Sequence, residues 1–171
     1  MSLILLESLA NNAIIRPSDG ATVNFLASGR KNGRVKGAAI SLSGRTFTMA
    51  EGTLIARGHR IKCDASTQIL DLSGATLPAS ETAYRLIARI SRSGDSGSLT
   101  ITHQLASSSL NNDPIDEGNG TYDLSLGTFL MGPNGVYDFS DALPTVTGSS
   151  SGGSSSPPRG WRSSDTARGA C

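Results

Sequence analysis

The sequence predicts an all-β fold, either an antiparallel β-sandwich or a barrel-like domain, from three observations. Short runs of residues alternate apolar and polar side chains, which is the pattern of half-buried strands. Glycines separate these runs at roughly the 8–12-residue spacing of sandwiches and barrels. Charged residues make up only 17% of the chain and glycine contributes 20 residues, a composition that favours strands and tight turns over long helices.

The predicted folded domain covers residues 13–147. In RTFTMAEG, Phe47 and Met49 fall on one face and the threonines on the other, as expected for a strand with one buried face. The other candidate strands before residue 75 are ATVNFLASG, RVKGAAISLSG, GTLIARG, HRIKC and TQILDLSG. Residues 1–12 form a short N-terminal arm, in which SLILLESLA is either a marginal two-turn helix or a frayed segment.

The string GDSG, residues 94–97, also surrounds the nucleophilic serine of chymotrypsin-like proteases, but its neighbours favour a turn. TAYRLIARIS precedes it and SLTITHQL follows it, and both alternate as strands do. Two such runs joined by a short Gly/Asp/Ser connector indicate a β-hairpin. His59 precedes Ser96 in the chain, yet a two-barrel protease needs far more sequence before its serine. We therefore expect no catalytic residues. A hydrolase that uses Ser96 or an acid pair is kept as an alternative, ranked below the two non-enzymatic interpretations given at the end of this section.

Residues 106–120, ASSSLNNDPIDEGNG, are predicted to be a polar surface loop. Their acids and asparagines lack the EF-hand pattern, and with two histidines and two cysteines in the chain no zinc set is evident. The sequence therefore predicts neither a metal nor another cofactor. Cys63 is expected to be a small buried apolar group, and the segments TYDLSLGTFLMG and GVYDFSDALP are predicted to complete the sheets around a Pro133-Asn134-Gly135 turn.

After residue 147 the composition changes to a Gly/Ser linker followed by PPRGWRSSDTARGAC, so residues 148–171 are predicted to be a linker and a docking tail. Tryptophan and arginine are favoured anchors at protein interfaces. The candidate partner-binding residues are therefore those of the tail and of a basic hairpin tip: Trp161, Arg159, Arg162, Arg30, Lys31 and Arg34. A tail that never orders, and a tip that is merely solvated, are the alternatives.

Charge and hydropathy exclude several classes of partner. Fifteen basic residues against 14 acidic ones give no field that would favour nucleic acid or an anionic membrane. The longest apolar run, LILL at residues 3–6, is far shorter than the roughly 20 residues of a membrane span. Without a basic N-terminal region or an adequate apolar stretch, a signal peptide is not expected, which predicts synthesis and folding in a cytoplasm.

The stretch GRTFTMAEGTLIARGHRIKCDASTQILDLSGATLPASETAYRLIARI resembles a pattern of tailed-phage baseplate and tail-fibre proteins. There a strand leads through a glycine to a short hairpin, a polar loop and a strand that starts with an aromatic residue, here Tyr84 to Ile90. TYDLSLGTFLMGPNGV is similar to the closing strand of that family. The resemblance spans roughly residues 33–139. It implies a small β-sandwich that assembles as a trimer or around a six-fold baseplate, without enzymatic activity.

The sequence thus predicts a structural component of a phage or phage-like virion, at the tail tip, baseplate or fibre attachment site. It is expected to be made in the host cytoplasm, to form a trimer or hexamer and to contact other virion proteins. No fibre or receptor-binding head follows the β domain in this sequence, which favours an adaptor role. The alternatives are a module that binds carbohydrates or the host surface through the 106–120 loop or the hairpin tips, and a head-fibre or collar decoration protein.

Overall fold

A computed structural model describes residues 4–6, 21, 24, 26, 28, 29, 31–94 and 96–146, with backbone only at residues 4–6 and 117. The described chain is almost entirely β, with antiparallel sheets that pack against each other, so the predicted all-β, sandwich-like fold is confirmed. The strands are β1 (Ile4–Leu6), β2 (Gly33–Gly37), β3 (Ile40–Ser43), β4 (Thr46–Met49), β5 (Gly52–Ala56), β6 (His59–Cys63), β7 (Thr67–Asp71), β8 (Thr82–Ser93), β9 (Ser96–Leu105), β10 (Asn119–Gly132) and β11 (Gly135–Asp141). A short 3₁₀-helix spans Ile115–Glu117.

The first half of the chain is a meander that bends sharply. Strands β1, β6, β5 and β2 form one sheet in that order, and β3, β4 and β7 form a second. The meander crosses from one sheet to the other between β2 and β3, between β4 and β5, and between β6 and β7. Backbone bonds continue through this corner, from the Ala38 N–H to the Glu51 carbonyl at 2.9 Å and from the Ala50 N–H to the Ala39 carbonyl at 2.8 Å. The sheets are therefore two ends of one bent ribbon.

Glycine makes the corner possible. Gly37 has a φ of +56°, in the left-handed region that favours glycine. At Gly52, paired opposite Gly37, a Cβ atom would overlap the backbone nitrogen of Ala38. The segment RVKGAAISLSG accordingly supplies two strands in two sheets, because the chain turns at Gly37 and Ala38.

The second half forms the opposing layer, a four-stranded antiparallel sheet in the order β11-β10-β8-β9. Strands β8 and β9 pair continuously from Tyr84 with Leu105 to Ser93 with Ser96, which confirms the predicted hairpin. The register of β10 against β8 shifts between Ser125 and Gly127. This bulge lets β10 keep its core face, which passes from even-numbered to odd-numbered positions.

The core lies between these layers. Phe47 and Met49 are almost fully buried, as their alternation predicted, and Cys63 is a buried free thiol. The ring of Phe47 packs against Phe129 and Phe139, with centroids 4.9 and 5.3 Å apart. Aromatic rings thus join the bent ribbon to the four-stranded sheet.

Three expectations change near the ends of the domain. Ile4–Leu6 forms an edge strand beside β6, so a helix over these residues was the wrong alternative; the rest of residues 1–12 lies outside the described part. Ala21, Asn24 and Leu26 have helical backbone in place of the strand predicted for ATVNFLASG. The Ser28 N–H donates to the Asn24 carbonyl at 2.9 Å, a helical i to i−4 bond that competes with the apparent alternation. The predicted linker and tail, residues 148–171, also lie outside the described residues.

Candidate functional site

Of the six predicted partner-binding residues, the structure describes two. Lys31 is exposed, whereas Arg34 is half-buried and forms an ion pair with Asp141. The Arg34 backbone also joins the last described segment, because its N–H donates to the Pro144 carbonyl and its carbonyl accepts from the Val146 N–H, both at 2.7 Å. Arg34 thus fastens β2 to the chain that leaves β11. Arg30, Arg159, Trp161 and Arg162 lie outside the described residues.

An open groove separates the edge strands β3 and β11. Within the described part of the chain, β3 pairs only with β4 and β11 only with β10, so each has one edge with no strand beside it. The groove has a volume of about 450 Å³. Its lining combines apolar, hydroxyl and acidic side chains: Ile40, Ser41, Leu42, Gly44, Val136, Tyr137, Asp138 and Phe139. Unpaired strand edges of this kind are templates for pairing with another segment.

The floor of this groove is apolar and its rim is polar. Ile40 and Val136 are buried, Leu42 and Phe139 are half-buried, and Ser41 and Asp138 are exposed. Asp138 has a φ of +53°, a conformation that aspartate and asparagine adopt more readily than most residues. It lies where the pairing of β11 with β10 shifts register, between the partners of Thr128 and Leu130. The bulge places the carboxylate on the rim.

A second polar group closes one end of the sandwich around Arg57. Arg57 and Gly58 both have positive φ, as the two-residue turn between β5 and β6 requires. The Arg57 guanidinium lies 3.5 Å from the Asp116 carboxylate and over the ring of Tyr122, 5.7 Å from its centroid. The backbone N–H of Arg57 donates to Asn32 Oδ1 at 2.6 Å, and Asn32 Nδ2 donates to the Tyr122 hydroxyl at 2.9 Å. These contacts attach the 3₁₀-helix to the turn.

His59 is buried beneath this group. Its Nε2 lies 3.2 Å from the Ile115 carbonyl, so the neutral tautomer with a proton on Nε2 donates to it. Burial lowers the pKa of His59, and the hydrogen bond to Ile115 and the charge of Asp116 only partly oppose this. Burial likewise raises the pKa of Tyr122. Both side chains are therefore neutral near pH 7 and act as packing and hydrogen-bonding groups.

A third group holds the 106–120 loop against the outer face of the four-stranded sheet. Asp123 is 2% exposed and accepts hydrogen bonds from Arg89 Nε at 2.8 Å and from Asn111 Nδ2 at 2.8 Å. Burial alone would raise the pKa of Asp123, but the bonds from Arg89 and Asn111 outweigh it and lower the pKa. Arg85 binds the Ala106 carbonyl at 2.9 Å. The loop predicted as a surface excursion is thus fastened to the sheet at Ala106 and at Asn111.

Gly94 and Ser96 of the GDSG string lie at the tip of the β8–β9 hairpin. Gly94 has a φ of +60°, which two-residue hairpin turns use, and Ser96 is an exposed residue paired with Ser93. His103 lies seven residues further along β9, roughly 23 Å away at the rise of a strand. His59 donates to Ile115, as described above. Ser96 is therefore the first residue of β9, directly after the hairpin turn that its sequence neighbours predict.

Metal ligands and membrane-spanning segments were also sought in the described part of the chain. No group of three or more histidine, cysteine, aspartate or glutamate side chains is close enough there to hold a metal ion. Within the same residues, no helix has the length and apolar character needed to cross a membrane.

No protein family model and no curated protein matches the chain. A functional interpretation therefore depends on the fold and the groove. The sequence predicted strands in RVKGAAISLSG and GVYDFSDALP, which contain β3 and β11, but it did not predict the groove, because these strands are almost 100 residues apart in the chain. The sequence also did not predict the charged groups around Arg57 and Asp123, because they correspond to no local sequence motif.

Proposed function

We propose that the chain is a non-enzymatic structural protein that assembles into a symmetric oligomer through the edges of its sheets. The groove between β3 and β11 carries this proposal, since two strands there each have a partner on one side only among the described residues. Addition of a strand satisfies backbone N–H and C=O groups and gives affinity without a conserved chemical motif. Such an edge suits assembly better than catalysis.

The polar clusters support the same interpretation. Arg57, His59, Asp123 and Arg89 form internal contacts that fasten a loop and a 3₁₀-helix to the sheets. A catalytic site needs a general acid, a base or a nucleophile that can reach substrate. In these clusters the titratable groups instead bind carbonyls, amides and each other, so their role is structural.

On the resemblance of residues 33–139 to baseplate and tail-fibre modules, the oligomer belongs in the virion of a tailed phage or a phage-like particle. We place it at a tail tip, baseplate or fibre adaptor, with head-fibre or collar decoration as the alternative position. The partners are then copies of the chain and other virion proteins. The small sandwich gains stability on assembly because its edges are covered.

Three measurements test the proposal and its alternative. Sedimentation equilibrium of the full chain is expected to show a trimer or a hexamer, and a monomer across the micromolar range would refute symmetric assembly. Mass spectrometry of particles purified from cells that carry the gene is expected to detect the chain at a fixed stoichiometry. Its absence from particles would remove the virion assignment and leave only the assembly function. A positive glycan array on the full chain would favour the host-surface alternative.

A further inference from the structure

The β3–β11 groove also suggests what occupies it, and this inference rests on the assembly proposed above. We propose that the groove binds the segment Pro157–Arg162 of a neighbouring copy, with Trp161 over the apolar floor and an arginine against Asp138. The docked segment would lie extended between the two strand edges. The predicted tail would thereby become the clasp between subunits.

The chemistry of the groove matches that of the segment. The one charged side chain in the lining is the exposed carboxylate of Asp138, and Trp161 is flanked by Arg159 and Arg162. Half-buried Leu42 and Phe139 offer apolar contact for an indole ring. Within the described part of the chain no strand pairs with the outer edges of β3 and β11, so an extended peptide can add there, and the two prolines before Arg159 favour an extended approach.

The direction of the chain leads toward the groove. Thr145 pairs in parallel with Arg34 at the start of β2, so the last described residues run along β2 toward β3. The path from Arg34 to Ser41 is seven residues, at most roughly 23 Å at the rise of a strand. The 14 residues from 147 to 160 reach up to about 50 Å when extended. This reach is about twice the path to the chain's own groove, so the segment is long enough to extend to the groove of a neighbouring copy as well.

Three full-length variants separate the possibilities. Ser41→Arg places a bulky cation on the rim of the groove and should block docking. Ser43→Arg is its matched control, since Ser43 is exposed on the same strand but does not line the groove. Trp161→Ala removes the only tryptophan, so this variant keeps an intact groove and gives no tryptophan emission.

The decisive experiment mixes two variants and records tryptophan emission. In the Ser41→Arg chain alone, Trp161 should emit at the wavelength of a hydrated indole at every concentration. Addition of excess Trp161→Ala chain, which offers intact grooves, should shift that emission to shorter wavelength. The Ser43→Arg control should show the shift without any added chain once its concentration permits assembly. Asparagine in Asp138→Asn keeps the left-handed backbone. This variant should raise the protein concentration at which the emission shifts by about fivefold.

Other outcomes would overturn the inference. A short-wavelength emission of the wild-type chain that persists on dilution and does not respond to mixing would place the tail in its own groove. Identical behaviour of Ser41→Arg and Ser43→Arg would place it elsewhere. Sedimentation of the same samples separates the two proposals: if Trp161→Ala forms the wild-type oligomer, assembly stands and the tail clasp fails. A wild-type chain that stays monomeric removes both.

Discussion

At the scale of single residues, Asp123 illustrates how charge stabilises this fold. It is a buried carboxylate that accepts hydrogen bonds from Arg89 and Asn111, and thereby fixes the 106–120 loop to the sheet. The substitution Asp123→Asn removes the counter-charge of Arg89 and weakens those bonds. We expect the free energy of unfolding to fall by about 2 kcal/mol, measured by urea denaturation at pH 7. The Arg89 side chain is 37% exposed, which keeps the loss below that of a fully buried pair.

The matched control is the exposed pair of Lys62 and Asp64, whose side chains are 48% and 50% exposed. Asp64→Asn should cost less than about 1 kcal/mol. Because the folded pKa of Asp123 is lowered, its contribution is present above the unfolded value of about 3.9 and lost as pH falls through the folded pKa. The Asp123→Asn chain should therefore lose less stability than wild type in that acidic range. Equal losses in the two substitutions at pH 7 would contradict the role of Asp123.

The two histidines predict a second pH dependence. Burial lowers the pKa of both His59 and His103 in the folded chain. Between the folded and the unfolded pKa of each histidine, the folded chain therefore binds fewer protons than the unfolded chain. The contribution of the two histidines to the free energy of unfolding is complete above pH 6.5. It declines as the pH falls from there toward the folded pKa. We expect urea midpoints to decrease over that window, and His59→Gln, whose amide can still donate to Ile115, to flatten the decrease. An unchanged slope in the His59→Gln, His103→Gln double variant would refute this assignment.

Residue patterns predicted burial better than they predicted polar partners. Phe47 and Met49 alternate with threonines, and this alternation alone identified their buried face, because a strand projects side chains with a period of two. The contact of His59 with Ile115 joins positions 56 residues apart. No local pattern encodes such a contact, since it depends on how the loop returns to the sheet.

At the scale of elements, the corner of the bent ribbon depends on close approach of two backbones. At Gly52 any Cβ atom would overlap Ala38, and the backbone there has no easy way to move. We expect Gly52→Ala to destabilise the chain by more than about 3 kcal/mol or to prevent folding. Gly74→Ala is the control, because a Cβ at Gly74 meets nothing within 4 Å, and it should change stability by less than about 1 kcal/mol. Thermal unfolding curves that coincide for the two variants would show that the corner tolerates a side chain.

The β8–β9 hairpin gives a direct test of GDSG as a turn. Gly94→Ala should cost about 1 kcal/mol, because alanine is strained at a φ of +60°. Ser96→Ala, at an exposed strand position, should leave the melting temperature almost unchanged. A serine-directed phosphonate should not label the wild-type chain. Labelling that disappears in Ser96→Ala would instead establish a reactive serine and favour the hydrolase alternative.

Element prediction succeeded where the pattern was local and failed where the chain changes direction. TAYRLIARIS and SLTITHQL were identified as a hairpin because alternation and a Gly/Asp/Ser connector act over a few residues. The division of RVKGAAISLSG between two sheets depends on Gly37 and Ala38 meeting Glu51 and Gly52, which the sequence does not place together. The bulge after Ser125 was equally hidden, since alternation continues on either side of it.

At the scale of the whole molecule, the sequence predicted the class of fold but not which strands lie at the edges of its sheets. Regular alternation between glycines requires sheets with a common interior, whatever their order. Which strands remain at the edges depends on how the bent ribbon meets the four-stranded sheet. The strands β3 and β11 approach each other without pairing, and the groove between them follows from that packing.

The central claim is that these two edges are the surface through which copies assemble. Hydrogen–deuterium exchange of the full chain, measured at a low and a high protein concentration, tests it most directly. The amides of Ile40–Ser43 and Gly135–Asp141 are expected to exchange more slowly at high concentration, while the β8–β9 turn keeps the same rate. Exchange at β3 and β11 that does not depend on concentration, in a chain shown by sedimentation to be oligomeric, would contradict the claim.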